Sequence, residues 1–500
     1  TPLLISPDQA LELAREILKA HSLKRSPRTF LEAVSRFKNG MSDSETFPIQ
    51  EYIAALEQLG LMDLDDFLSA ALKKTLSSDQ KKHLKYLLVD EFQDTNPIQF
   101  ALVQKWHQCG KHLFVIGDDD QAIYGFRGAG GHCFEQLCQV APHAQVIRFL
   151  ENYRSSAPIL DSALSLIRHN PGPKRILHSH HAGTASLRLI EAPSAYSEAI
   201  FLAKEIARMT GGGDMLTSQS RSDEKPRAFS DIAVLCRTHR QLELIENCLL
   251  HDGIPCTISG RDDFLSDEAV CGAIGFFRHL FHFRDELSLR HYLSFSLHCP
   301  EDLIQRAIHV CSCSENWESI QSKLETEGFY GQWFEQVNAF LPLIKKENPY
   351  KLLNAFWKNQ PLRGPQQKLL DTAVFHKTMS AFLDTLLLGS ESDIVRASRK
   401  EYSSGAVRLM TLHGSKGLEF PVVFLAGLSS GIVPLQDGHS CLEEERRLLY
   451  VGVTRAMEEL VLSFYGEPSC FLNELKTPNL RHETLNEPFQ ASKFQQLSFL

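Results

Sequence analysis

The stretch Val89-Asp90-Glu91-Phe92-Gln93-Asp94-Thr95-Asn96 decides the reading of this chain. It closes the apolar run Tyr86-Leu87-Leu88-Val89, so two neighbouring carboxylates, Asp90 and Glu91, stand at the end of a short β-rich segment. In open α/β sheets, ligands bind beyond the carboxyl ends of the strands. An Asp there can hold Mg²⁺ through oxygen, and the Glu beside it can orient or deprotonate a water. For two acids alone the plainer reading, a pair of acids at an ordinary strand end, is clearly favoured, so the neighbourhood has to decide.

Working outward, Leu113-Phe114-Val115-Ile116 and Val146-Ile147 are further β-rich runs, and helical stretches separate them. That alternation predicts a parallel α/β sheet. Residues 1–83 read as helices: Ala10, Leu11, Leu13, Ala14, Ile17 and Leu18 form one stripe, and Leu64, Phe67, Leu68, Ala71 and Leu72 another. Gly211 to Pro226 reads as an exposed loop. Ile232-Ala233-Val234-Leu235 is a strand, and Arg240 to Leu250 a helix. From 283 to 395 strand signals vanish. They resume at Val407-Arg408-Leu409-Met410, Val422-Val423-Phe424-Leu425 and Leu460-Val461-Leu462. The simplest account is a second α/β domain split by a helical insert.

Composition narrows the class. The 500 residues are 43% hydrophobic and 23% charged, and no run of 18 uncharged apolar residues occurs. A net charge of −9 argues against a uniformly basic nucleic-acid binder but leaves local patches open. Twelve scattered cysteines without a C-x-x-C pair suggest reduced thiols and the cytosol. His178-x-His180-His181 follows the turn-rich Asn170-Pro171-Gly172-Pro173 and reads as a loop without metal. At about 150 residues per domain, the length predicts about three domains.

After the second run comes Ile116-Gly117-Asp118-Asp119-Asp120-Gln121-Ala122-Ile123-Tyr124-Gly125-Phe126-Arg127-Gly128-Ala129, and later Glu151-Asn152-Tyr153-Arg154-Ser155-Ser156. Thr411-Leu412-His413-Gly414-Ser415-Lys416-Gly417-Leu418-Glu419-Phe420 and Glu443 to Ala456 complete the set. With these motifs in this order, the chain resembles the UvrD/PcrA/Rep group of superfamily 1 DNA helicases over about residues 84–460. The resemblance implies a P-loop NTPase fold with two RecA-like parallel-sheet domains and inserted helical subdomains. It implies an ATP-driven, Mg²⁺-dependent motor moving 3′ to 5′ on single-stranded DNA and acting at single-strand/duplex junctions, in repair or replication. The implied layout is a helical subdomain at 1–83 and the remainder of the first RecA-like domain at 84–150. The second RecA-like domain would occupy 151–282 and 396–475, with a regulatory helical insert at 283–395 and a tail at 476–500.

The resemblance also implies roles. Asp90 would hold Mg²⁺ and Glu91 activate water, while Gln121 would sense the γ-phosphate. Tyr153 would stack on adenine, Arg154 would reach the γ-phosphate, Arg455 would be a second arginine finger, and Glu419 would accept from the ribose. In a helical reading, Arg447, Val451 and Arg455 share a face. For DNA, Tyr124, Phe126 and Arg127 lie in a glycine-punctuated loop suited to base stacking and phosphate attraction. His413 and Lys416 would touch the DNA backbone. Surface pairing is the plainer reading for each arginine alone, and core packing for Tyr124 alone.

One expected part is missing: no G-x-x-x-x-G-K-[ST] phosphate loop occurs in the sequence. With the start at Thr1 rather than Met, this leads to the expectation that about one hundred or more residues precede Thr1. The first domain would then be incomplete, and the chain alone inactive. A non-catalytic DNA-binding or scaffold protein derived from a helicase is the alternative function. The residues after the last motif are too few for a RecB-like nuclease domain. The C-terminal Gln495-Gln496-Leu497-Ser498-Phe499-Leu500 resembles peptides that dock into the sliding clamp, with an ordinary frayed end as the rival.

Overall fold

The computed structural model describes residues 2–41, 47–74, 77, 79, 83–109, 112–125, 133–172, 175–181, 186–211, 226–259, 264–326, 331–358, 361–388, 405–435, 441–475 and 480–485. Phe126, Arg127, most of the expected 211–226 loop and the tail 495–500 lie outside them. The chain divides into two compact units, residues 1–75 with 262–402 and residues 76–261 with 403–500.

The second unit is built on a seven-stranded, wholly parallel sheet. Its order is Leu480–Thr484, Ser186–Ala192, Ala456–Tyr465, Phe420–Leu425, Ile232–Cys236, Val407–Thr411, Cys256–Ile258. Ile232–Cys236 lies inside the sheet and all five of its residues are buried. Helices cover both faces of such a sheet, so its strands read as continuous apolar runs rather than alternating ones. One face packs against Ala157–Ile167 and Leu442–Val453, the other against Ala195–Met209 and His239–His251. Ser194, which accepts from the amide of Ser197, caps the third of these helices.

The same unit holds two smaller sheets. Tyr86–Val89 pairs in parallel with His112–Val115, backed by the helices Pro97–Cys109 and Cys133–Val140 around Phe92, Val103, Cys133 and Leu137. Glu151–Ser156 pairs in parallel with His178–His181. The histidine segment is therefore a strand, not the expected loop: its backbone takes the edge that Glu151–Ser156 offers, a long-range pairing invisible to local turn chemistry. Val146-Ile147 differs the other way, since it forms no strand.

The first unit is helical. Pro7–Ala20, Pro27–Lys38, Phe47–Gln58 and Leu64–Lys73 come from the N-terminal stretch, the first opened by a Ser6–Gln9 capping box. Among the described residues, eight more helices run between Glu268 and Leu388, the first of them, Glu268–Phe281, ahead of position 283. Hydrogen bonds join the two stretches: Arg278 Nη2 donates to the Leu4 carbonyl at 2.8 Å, and His291 Nε2 meets Glu12 at 2.6 Å. Leu287 packs in one cluster with Leu13 and Ile17. The sequence-predicted subdomains 1–83 and 283–395 thus contribute to a single unit. Among the described residues, no helix is long and apolar enough to cross a membrane.

Candidate nucleotide and DNA site

The strand Tyr86–Val89 delivers Asp90 and Glu91 at its carboxyl end. Asp90 Oδ1 accepts from the Glu91 amide at 2.9 Å. Glu91 sits in the left-handed region at φ 50, unusual for a residue with a Cβ and common at functional turns. Its Oε2 accepts from Gln93 Nε2 at 2.5 Å. Gln93 is 1% exposed and its Oε1 accepts from the Asp118 amide at 3.0 Å. One buried amide therefore ties the turn after the first strand to the turn after its neighbour. Gly117 makes room for it, because a Cβ there would lie 2.1 Å from Gln93 Oε1.

Beyond that neighbour, a single 3₁₀ turn carries Gln121. Gln121 Nε2 donates to Asp118 Oδ2 at 2.8 Å, and its Oε1 lies 3.4 Å from Arg455 Nη2. Burial raises the Asp118 carboxyl above its ordinary range. Asp120 receives two bonds from Arg175 Nε and Nη2, both 2.6 Å. That hydrogen bonding raises the Arg175 pKa further. Arg447 Nε donates to the Ala122 carbonyl at 2.8 Å, and Glu444 Oε1 accepts from the Gly125 amide at 2.9 Å.

Arg455 is 1% exposed. The helix carrying Arg447 and Val451 stops at Val453, so Arg455 stands just past it rather than continuing its face. Its guanidinium donates to the carbonyls of Val451 at 2.9 Å and Leu418 at 3.0 Å. Burial, and then the nearby charge of Arg154, pull its pKa down to about 10. Arg154 Nε donates to Glu419 Oε2 at 2.6 Å, so the residue expected at the ribose is here paired with the residue expected at the γ-phosphate. Tyr153 is 73% exposed and stacks on His180, with ring centroids 5.0 Å apart and an interplanar angle of 20°.

 

Lys416, expected on the DNA backbone, is buried. Its Nζ donates to Asp94 Oδ2 at 2.6 Å and to the Gln121 carbonyl at 2.8 Å, and lies 3.7 Å from Glu91 Oε2. It also stands 5.1 Å from the centroid of the half-buried Tyr124 ring, which tilts against His413 at 6.4 Å. Asp90, Glu91, Gln121, Arg154, Glu419 and Arg455 are thus linked through shared bonds or neighbouring charges, whereas Tyr153 faces outward beside His180. Sequence reasoning gave no role to Gln93, Asp94, Arg175 or Glu444. Gln93 and Asp94 stand inside the quoted motif and were open to discovery there, while Arg175 has no local signal.

Residues 7–142 match the family model described as the UvrD/REP helicase N-terminal domain. Residues 147–316 and 368–467 match the UvrD-like helicase C-terminal domain. The chain is 30% identical to the ATP-dependent DNA helicase PcrA of Leuconostoc citreum, over 90% of this chain and 67% of that one. It is 28% identical to the PcrA of Bacillus subtilis, over 92% and 68%. DNA helicase II of Escherichia coli is 27% identical, over 85% and 64%.

Proposed function

Because the chain belongs to the UvrD-like helicase family, we propose that it works in an ATP-dependent 3′–5′ DNA helicase of repair or replication. The observation that carries this reading is the meeting of Arg154, Arg455, Gln121 and the Asp90–Glu91 pair around shared partners. Two neighbouring guanidiniums, one of them buried, raise each other's electrostatic energy, and an arriving polyphosphate would relieve it. The donor set therefore fits a nucleoside triphosphate with Mg²⁺: Asp90 is the oxygen ligand, and Arg154 and Arg455 are the cations for the phosphates. When bound, the metal and triphosphate supply the phosphoryl group and its charge neutralisation. Glu91 then holds the proton of the attacking water, Gln121 links that centre to Arg455, and Tyr153 offers its open face to adenine. Tyr124, Phe126, Arg127, His413 and Lys416 form the DNA side of this reading. Single-stranded DNA and junctions are the substrates, the cytoplasm is the location, and residues 495–500 are a candidate clamp peptide.

The given sequence contains no phosphate loop, so the test supplies one by joining to the chain a segment that carries the G-x-x-x-x-G-K-[ST] motif. Single-strand-stimulated ATP hydrolysis should then appear, and Arg455→Ala should lower it about 10³-fold. Hydrolysis absent, or untouched by Arg455→Ala, would refute the reading in favour of a non-catalytic DNA-binding protein.

A further inference from the structure

The strand Glu151–Ser156 does not pair evenly with His178–His181. Asn152 stands opposite Ser179 and Ser156 opposite His181, so Tyr153, Arg154 and Ser155 share one opposing residue, His180. Irregularities of this kind re-aim side chains and recur beside functional sites. The backbone here is held from several directions. Asn152 Oδ1 accepts from the amides of Arg154 at 3.0 Å and Ser155 at 2.9 Å. Ser179 Oγ donates to the Ser155 carbonyl, and Ser155 Oγ to the Ala456 carbonyl, each at 2.7 Å. Those bonds fix the chain but not the Tyr153 ring, which stands out into solvent. What restrains the ring is His180, stacked on one of its faces, while His180 Nε2 itself lies 2.5 Å from Glu151 Oε2.

We propose that His180 is a positioning residue for the base of the nucleotide: it covers one face of Tyr153 and holds the ring so that the opposite face meets the incoming purine. This rests on the nucleotide reading, in which Tyr153 stacks on adenine. The 5.0 Å separation and 20° tilt fall in the offset-stacked range where aromatic rings attract each other. A free, exposed ring gives up rotamer freedom when a base lands on it, whereas a ring already stacked has given up much of it beforehand. Glu151 supports the stack by holding the far side of the imidazole. Among the described residues, the bonded and stacked partners of His180 are Glu151 and Tyr153. Its effect therefore falls on binding of the base and not on the phosphoryl centre. A histidine that merely tied the two strands together would act without regard to Tyr153, which separates the two roles.

The test takes the full chain joined to the phosphate-loop segment and reads steady-state ATP hydrolysis on saturating single-stranded DNA. His180→Ala should raise the KM for ATP about 3- to 10-fold and leave kcat within about twofold. His180→Phe keeps a stacking face and should bring KM back to within about twofold of the unsubstituted protein. In a Tyr153→Ala background, His180→Ala should change KM by less than about twofold, because the ring it holds is gone. An unchanged KM in His180→Ala, an equal rise in the Tyr153→Ala background, or a loss that His180→Phe does not restore would overturn the proposal. Hydrolysis that is present but indifferent to His180 overturns this proposal alone. No hydrolysis by the unsubstituted joined chain refutes the nucleotide reading, and the role of His180 falls with it.

Discussion

Acid should loosen the helical unit through one histidine. His279 is fully buried, its ring 5.2 Å from Trp317 and 5.9 Å from Trp333, and neither ring nitrogen has a hydrogen-bond partner among the described residues. Burial lowers its pKa from 6.5 to about 4. A folded-state value below the unfolded one means that the unfolded chain binds the proton more readily. Stability from this group is therefore fully present above about pH 6.5 and is lost as pH falls toward 4. Between pH 7 and pH 5 the loss comes to about 2 kcal/mol, since each pKa unit corresponds to about 1.4 kcal/mol. His279→Phe removes the titration and keeps an aromatic ring in place. Three of the four tryptophans, Trp317, Trp333 and Trp357, lie in this unit, so urea unfolding followed by tryptophan fluorescence reports on it. The wild-type midpoint should fall more steeply from pH 7 to pH 5 than that of His279→Phe. Parallel pH profiles for the two proteins would refute the reasoning.

Gly117→Ala should destabilise the second unit by about 2–4 kcal/mol, because the new methyl displaces Gln93 and strands the polar groups it serves. Gly405→Ala, with nothing within 4 Å, should stay within about 0.5 kcal/mol, both changes being read by hydrogen exchange in the second unit under increasing urea. Breaking the Arg175–Asp120 pair from either side should cost about 3 kcal/mol, since each substitution leaves a mostly buried charge without its partner. The double variant should cost clearly less than the two singles together, and simple additivity in a double-mutant cycle would show that the pair is not coupled.

The parts of the fold that were legible in the sequence are those fixed by local periodicity or continuous burial. The stripe from Ala10 to Leu18 becomes Pro7–Ala20, and Ile232-Ala233-Val234-Leu235 becomes a strand with no exposed residue. Val146-Ile147 carries the same β-rich signal but forms no strand, because a strand is defined by its neighbour and, among the described residues, no backbone hydrogen bond ties it to one. His178–His181 fails in the opposite sense: turn residues precede it, yet an available edge recruits it. The joining of the two helical stretches was likewise hidden, since it depends on Arg278 reaching Leu4 and His291 reaching Glu12 across more than 250 positions.

The candidate site shows why motif residues can be found without their arrangement being known. Gln121 is recognisable in sequence, but what gives it leverage is the set of bonds on its loop. Arg175 holds Asp120, Lys416 holds the Gln121 carbonyl, Arg447 holds that of Ala122, and Glu444 holds the Gly125 amide. All four side chains come from residues at least 55 positions further along the chain than the groups they hold. A loop gripped at four points between Asp120 and Gly125 does not shift at Gln121 alone. On the proposed reading, a change of phosphate state felt by Arg455 and Gln121 is therefore passed along the loop toward Tyr124. Lys416 makes the coupling tighter, because the same ammonium lies near Glu91, on the Gln121 carbonyl and over the Tyr124 ring. On the proposed reading, the phosphate end and the stacking end of the site thus share a single buried cation, so a shift at one is felt at the other.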